Sequence, residues 1–228
     1  MKLSVIIPTY NEKENLPLLF SGICNAIGKY DYEVVVVDDN SPDGTGELAR
    51  RISKVWPQVK VLIRRKKKGL ASAVLDGLKK AEGDFAAVMD ADLQHPPELL
   101  PVMIEEAMKG GDLIIASRYI KGGGVEGWNI LRRIESKAAI KIAHITVPVT
   151  RKVNDPISGY FLYHRQKVDE AELNPIGYKI LLEILAKGHF NNIVEVPYTF
   201  KRRRKGRSKL NWRVQIDYIK QLLQIMHK

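Results

Sequence analysis

Asp90 and Asp92 stand one residue apart, with Gln94 two positions further on, directly after the apolar run Phe85 to Met89. Two carboxylates with that spacing at a strand end can both turn toward one hard cation, and the Gln94 amide adds a neutral oxygen. Oxygen-only ligation selects Mg²⁺ or Mn²⁺, the usual bridges to diphosphates. The lone cysteine and scattered histidines form no zinc-type cluster. A solvated turn can also carry an acidic pair. What separates this one is its place after an apolar strand, matched by a second acidic loop, Asp38-Asp39-Asn40-Ser41-Pro42-Asp43-Gly44, after Val34 to Val37. Asp43 suits the N-cap of the helix that follows. Capping does not require Asp38 and Asp39, so at least one of them is expected on a ligand. His95, followed by two prolines, reads as a turn or supporting residue rather than a base. Gly122 to Gly124 reads as a hinge, a lid or a plain flexible loop. Ser158-Gly159-Tyr160 does not make a nucleophile elbow. The chain has no GxxxxGK[ST], which removes the main support for P-loop nucleotide hydrolysis.

Something must bring these loops together, and the hydrophobic pattern says what. Leu3 to Pro8 is a β-branched run, followed by Leu16, Leu19, Ile23 and Ile27 on one helical face. The alternation repeats as Glu33 to Val37 then Gly46 to Val55, Lys60 to Ile63 then Leu70 to Ala81, Phe85 to Met89 then Pro97 to Met108, and Leu113 to Ala116. Five such strands predict an α/β fold with a doubly wound, mostly parallel sheet flanked by helices. In such sheets ligands bind beyond the carboxyl ends of the strands. Thr9 to Glu12, Asp38 to Ser41, Asp90 to Gln94 and Ser117 to Tyr119 would then converge on one edge. After Ser117 the rhythm changes: a helix near Asn129 to Ile145, a strand over Ser158 to Tyr163, a helix over Tyr178 to Lys187 and a strand over Ile193 to Val196. A last helix carries Trp212, Ile216, Ile219, Leu223 and Met226 in one stripe.

The 228 residues are 45% apolar and 28% charged, which excludes disorder and fibrous architecture and suits a single domain. No apolar stretch reaches the roughly 20 residues of a membrane-spanning helix, and no secretory signal is expected at the start. Cys24 cannot form an internal disulfide and is expected to pack within a helix. The net charge of +11 is concentrated: Arg64 to Lys68 and Lys201 to Lys209 hold twelve basic residues, and the remainder has 25 basic against 26 acidic. An anionic partner follows, whether nucleic acid, an anionic membrane surface or a phosphorylated substrate. Neither run contains an aromatic residue, which argues against a single-stranded nucleic-acid binder.

Taken in order, Val5-Ile6-Ile7-Pro8-Thr9-Tyr10-Asn11-Glu12, Val36-Val37-Asp38-Asp39-Asn40-Ser41-Pro42-Asp43-Gly44-Thr45, Lys68-Gly69-Leu70, Met89 to Pro97, Ser117-Arg118-Tyr119 and Asp155-Pro156-Ile157-Ser158-Gly159 resemble a known family. It is the inverting glycosyltransferases of the GT-A fold, of the dolichol-phosphate mannosyltransferase type. The resemblance runs through most of the chain and is far more specific than a lone Asp-x-Asp. It implies a single catalytic domain over 1–228: a nucleotide-sugar half (1–120), an acceptor half (121–210) and an amphipathic helix (211–228), expected to lie on a membrane surface. It also implies a GDP-mannose donor held by Pro8, Tyr10, Glu12, Val37, Asp39, Ala91 and Lys179, with Mg²⁺ or Mn²⁺ on Asp90, Asp92 and Gln94. Dolichyl or polyprenyl phosphate would be the acceptor, with Arg118, Arg132, Ser136, Arg202, Arg203 and Ser208 near the phosphates; Arg133 and Arg204 are alternative registers. The implied location is peripheral, on the cytoplasmic side of a membrane, through that helix or a membrane-anchored partner. The alternative within enzymes is a related transferase using UDP-glucose or another donor.

Chemistry supports this direction. Negative charge grows on the departing diphosphate, so a dication and cationic side chains lower the barrier. A phosphate monoester, with a second pKa of about 6, is already largely dianionic at neutral pH. The expected reaction is direct displacement with inversion and no obligatory general base.

Overall fold

The structure is a computed structural model that describes residues 1–66, 69–201 and 212–226. Seven strands make the main sheet: β1 (Leu3–Thr9), β2 (Tyr32–Asp38), β3 (Val59–Ile63), β4 (Phe85–Val88), β5 (Leu113–Ser117), β7 (Phe161–His164) and β8 (Ile193–Pro197), in the order β3-β2-β1-β4-β7-β5-β8. A ribbon pairs β6 (Gly124–Val125) with β9 (Thr199–Phe200). The helices are α1 (Leu16–Ile27), α2 (Thr45–Val55), α3 (Leu70–Leu78), α4 (Leu100–Met108), α5 (Ile130–Thr146), α6 (Ile180–Lys187) and α7 (Trp212–Met226).

β1 and β2 are buried along their whole length, as continuous apolar runs covered on both faces must be. Leu3, Val5 and Ile7 face a core built with α1, α2 and α4, while Ile6, Val35 and Val37 face the opposite core with α3 and α6. The α3 helix lies so close to the sheet that a Cβ on Gly77 would sit 2.6 Å from Ile6 Cγ2. A third cluster, with Ile140, Ala143, Leu182, Tyr218 and Leu222, joins α5, α6 and α7.

The strand order, which the sequence left open, and two sequence expectations are decided here. β4 and β5 are not neighbours: β7 inserts between them, antiparallel to both. The strand expected over Ser158 to Tyr163 begins at Phe161, because Ser158 instead folds inward and donates from Oγ to the Ala116 carbonyl at 2.7 Å. Gly122 to Gly124 is no open loop but the tight entry to the β6–β9 ribbon, where a Cβ on Gly123 would meet the Ser117 carbonyl at 2.6 Å. Gly122, Gly124 and Gly127 have Gly-x-Gly-x-x-Gly spacing, but here they enter a ribbon and do not form a turn between a core strand and its helix, so no dinucleotide cradle forms.

Candidate active site at the carboxyl edge of the sheet

β1 leads on one side to β2 and β3, and β4 returns on its other side, so the strand order reverses between β1 and β4. The crevice above that point is where an open α/β sheet binds ligands. Thr9 pairs in register with Asp38 and Pro8 with Val37, which brings the first two polar loops level with Asp90 to Gln94. Each of these loops turns at a left-handed residue: Asn11 (φ 58°), Asn40 (φ 58°) and Leu93 (φ 63°). Asparagine tolerates that region, whereas leucine pays about 1–2 kcal/mol to enter it. Strain of this kind gathers at ligand sites.

The two acidic loops differ in what they are committed to. Asp38 is structural: it accepts hydrogen bonds from Thr9 Oγ1 (3.0 Å), Ser41 Oγ (2.6 Å) and the Ser41 N–H (2.9 Å). Asp39 accepts the Gly69 N–H at 2.8 Å and pairs with Arg64 at 2.7 Å. Arg64 is therefore no part of a surface patch. It is buried, and also donates to Ser72 Oγ and the Gly69 carbonyl, so the basic run expected from Arg64 onward starts at Arg65. The N-cap of α2 is Gly44, in the left-handed region, and not Asp43 as expected, because only a residue free to take that backbone conformation fits the cap position. Asp43, one residue earlier, accepts the Thr45 N–H at 2.9 Å. Burial works against its ionisation, but hydrogen bonds from Thr45 and Lys13 outweigh it and hold the carboxyl below the ordinary range. Glu12 accepts from Asn15 Nδ2 at 2.7 Å, and its N–H donates to Thr45 Oγ1.

Around β4 the arrangement suits a cation. Asp92 is 4% exposed and accepts the Gln94 N–H on Oδ1 at 3.0 Å. The Asp90 side chain is 33% exposed, open to the crevice. Gln94 Nε2 donates to the Lys201 carbonyl at 2.7 Å, which turns the amide and brings the start of the basic segment over the site. Among the described residues no three His, Cys, Asp or Glu side chains form a ready metal cluster. Two carboxylates and one amide oxygen leave positions for diphosphate oxygens, which fits a Mg²⁺ or Mn²⁺ shared with a substrate. His95 is the support that its sequence context implies. It is 1% exposed, accepts the Asp90 N–H on Nδ1 at 2.9 Å, stacks on Tyr160 at 5.1 Å, and has Gly159 closed against it. Burial, helped by Arg118 and Lys179 and opposed by Asp92, lowers its pKa to about 4, so the ring is a neutral acceptor.

Cations lie opposite. Arg118 meets Asp155 as a fork, Nε to Oδ2 and Nη2 to Oδ1, both 2.7 Å, with the Arg118 N–H also on Oδ2. Burial disfavours its charge, but Asp155 more than compensates and holds the guanidinium protonated. Glu195 fixes the Asp155 loop by accepting the N–H groups of Asn154 and Asp155. Lys179 donates to the Ile157 carbonyl at 3.2 Å; burial and then Arg118 lower its pKa to about 8, against the pull of Asp155 and Asp90. Arg132 packs over the Trp128 ring at 4.2 Å, and Ser136 Oγ accepts from the Tyr119 hydroxyl at 2.7 Å. Pro8, Val37 and Ala91 are buried at the strand ends, and Tyr10 lies half-buried beside them. Arg202, Arg203 and Ser208 lie outside the described residues. Sequence reasoning assigned no role to Asp155, Trp128 or Tyr119. Asp155 and Tyr119 stood in recognised motifs, whereas Trp128 had no sequence signal because its role depends on how Arg118 and Phe200 pack around it.

A carboxyl-edge crevice with an Asp-x-Asp loop on one wall and cations, the buried Arg118 among them, on the other, set in this sheet, defines a GT-A glycosyltransferase fold. The glucosyl-3-phosphoglycerate synthase of Mycobacterium tuberculosis, solved with Mn²⁺, UDP-glucose and phosphoglyceric acid, shares that fold at TM-score 0.74 and 18% identity, over 99% of this chain and 80% of that one. The profile described as Glycosyl transferase family 2 matches residues 4–171, and the chain belongs to that family. A dolichol-phosphate mannosyltransferase of Pyrococcus furiosus is 52% identical over 226 residues, spanning 99% of this chain but only 64% of that relative's length. The Saccharomyces cerevisiae dolichol-phosphate mannosyltransferase is 37% identical over 99% of this chain and 87% of its own length.

Proposed function

We propose that this protein transfers mannose from GDP-mannose to the phosphate of dolichyl or another polyprenyl phosphate, with inversion. The observation that carries the reading is the facing of Asp90 and Asp92 by the buried Arg118 and the half-buried Lys179 across one crevice; the names of the two mannosyltransferase relatives support the substrates. Asp90, Asp92 and Gln94 would hold Mg²⁺ or Mn²⁺, which neutralises the leaving diphosphate. Pro8, Tyr10, Glu12, Val37, Asp39 and Ala91 line the donor side, where the Asp39 carboxylate, fixed by Arg64 and Gly69, is set to meet the base. Lys179 adds positive charge to the donor phosphates, while Arg118, Arg132 and Ser136 receive the acceptor phosphate. A phosphate oxygen of the acceptor forms the bond to the anomeric carbon as the bond from that carbon to the β-phosphate oxygen breaks. GDP departs with the electron pair. No side chain has to remove a proton, because the attacking group already carries the charge.

A lipid acceptor requires contact with a membrane surface. None of the helices among the described residues is long and apolar enough to cross one. The stripe expected on α7 points outward: Ile216, Ile219, Leu223 and Met226 are each more than 40% exposed, and packing is done instead by Tyr218, Gln221 and Leu222. Ile130, Leu131 and Ile134 are likewise exposed on α5, and α5 and α7 pack together. Apolar side chains beside a basic segment are the composition of a peripheral membrane face.

Incubation with radiolabelled GDP-mannose, UDP-glucose and polyprenyl phosphate, with and without Mn²⁺, followed by lipid extraction, tests the reading. Labelled β-mannosyl phospholipid that depends on the metal and on GDP-mannose is expected. Label from UDP-glucose alone, or an α-linked product, would overturn the donor or the stereochemical assignment.

A further inference from the structure

Trp128 has no part in the reaction as described so far, yet it stands at the centre of the acceptor side. Its indole N–H is buried and lacks a hydrogen-bond partner among the described residues. A buried donor of this kind is rare in folded proteins and calls for a partner that arrives later. The ring lies 4.2 Å from the Arg132 guanidinium and 5.5 Å from that of Arg118, with Phe200 edge-on at 5.6 Å. Tyr119 continues the group: Arg118 sits 5.4 Å over its ring, and its hydroxyl donates to Ser136. Three residues expected at one phosphate are thus tied together through two aromatic rings. The hydrogen-bond polarity is one-sided as well. Indole and guanidinium nitrogens only donate, and Ser136 Oγ, already accepting from Tyr119, keeps its own proton to donate elsewhere. Such a pocket suits a group that only accepts, as a dianionic phosphate monoester does.

We propose that Trp128 is a ligand of the acceptor's phosphate monoester. Its N–H donates one hydrogen bond to a phosphate oxygen, while its ring spaces Arg118 and Arg132 around the same group by cation–π contact. The assignment rests on the reading that a polyprenyl phosphate is the acceptor, and the test separates the two. The protein labelled with ¹⁵N-tryptophan, in Mg²⁺, is titrated with farnesyl phosphate, farnesol, inorganic phosphate and GDP, and the Trp128 indole resonance is assigned by its loss in Trp128→Phe. Farnesyl phosphate is expected to shift that resonance and farnesol to leave it in place, with inorganic phosphate acting only at much higher concentration. In transfer assays Trp128→Phe, which keeps an aromatic ring and removes the donor, should raise the acceptor KM about tenfold, the size of one hydrogen bond to a charged group. The donor KM should stay at the wild-type value. A resonance that follows GDP rather than farnesyl phosphate, equal affinity for inorganic phosphate, or an unchanged acceptor KM in Trp128→Phe would each overturn the assignment. A wild-type protein that shifts with farnesyl phosphate but transfers no sugar to any polyprenyl phosphate would instead overturn the functional reading and leave the phosphate site standing.

Discussion

The two edges of the main sheet handle charge in opposite ways. At the amino edge every described charge cluster closes on itself. Glu33, buried, receives Ser4 Oγ at 2.6 Å, the Glu82 N–H at 2.5 Å and Lys60 Nζ at 2.6 Å, and Lys60 reaches Glu82 as well. Arg165 pairs with Glu170 at 2.7 Å and donates to the carbonyls of Leu78, Ala81 and Gly83. At the carboxyl edge the chain accepts left-handed turns at Asn11, Asn40 and Leu93, a lysine whose pKa is driven down to about 8, and a buried indole N–H without a partner among the described residues. The ion pairs of one edge are completed by the protein itself, although His164 Nδ1 there lacks a hydrogen-bond partner among the described residues, and the other edge is arranged for a charged ligand to complete it.

Substitutions should therefore separate activity from stability along this division. The largest effect belongs to Asp92→Asn, which keeps an oxygen for the Gln94 N–H but loses the charge. Transfer should fall by about 10²–10³-fold, the scale of losing one electrostatic contact to a developing charge. Tm should barely move, and stabilisation by GDP-mannose with Mn²⁺ should disappear; retained activity in that variant would erase the distinction between the edges. Glu33→Gln should do the reverse, lowering stability by about 1–3 kcal/mol in denaturant unfolding while leaving acceptor and donor KM unchanged. Burial opposes the Glu33 charge, but Lys60, Ser4 and the Glu82 N–H outweigh it, so its pKa is lowered in the folded state. Its contribution is then fully present above the ordinary carboxylate value and is lost as pH falls through the lower folded value. In the variant, acid unfolding should lose that component. The smallest effect is a pH dependence at the carboxyl edge. Lys179 loses its proton as pH rises through about 8, so kcat/KM for GDP-mannose should decline above that pH. Lys179→Arg, which stays charged, should flatten the decline; an identical alkaline limb in the variant would remove Lys179 from the donor side.

Much of the acidic wall of the candidate site was legible beforehand because it is local. Asp38 to Gly44 and Asp90 to Gln94 each follow a strand directly, so strand periodicity alone places them on one edge. Reading went astray where partners are distant. Arg64 heads a basic run and looks solvated, but its guanidinium is buried against Asp39 and Asp76. The α7 stripe, by contrast, points outward as expected of a surface amphipathic helix, while Tyr218 and Leu222, outside the stripe, make the contact with α5 and α6. Periodicity shows that a helix has faces, and it does not show which one meets the core.

The sequence by itself determined the α/β alternation, the acidic loops and the family, since these depend on residue type and short spacing. Only the tertiary structure decided that β7 separates β4 from β5, that Asp155 orients Arg118, and that Trp128 lies between two arginines. Those facts depend on which segments, from 4 to 79 positions apart in the chain, come to share one low-dielectric space, where an unpaired charge or donor is costly and each partner's identity is fixed by packing.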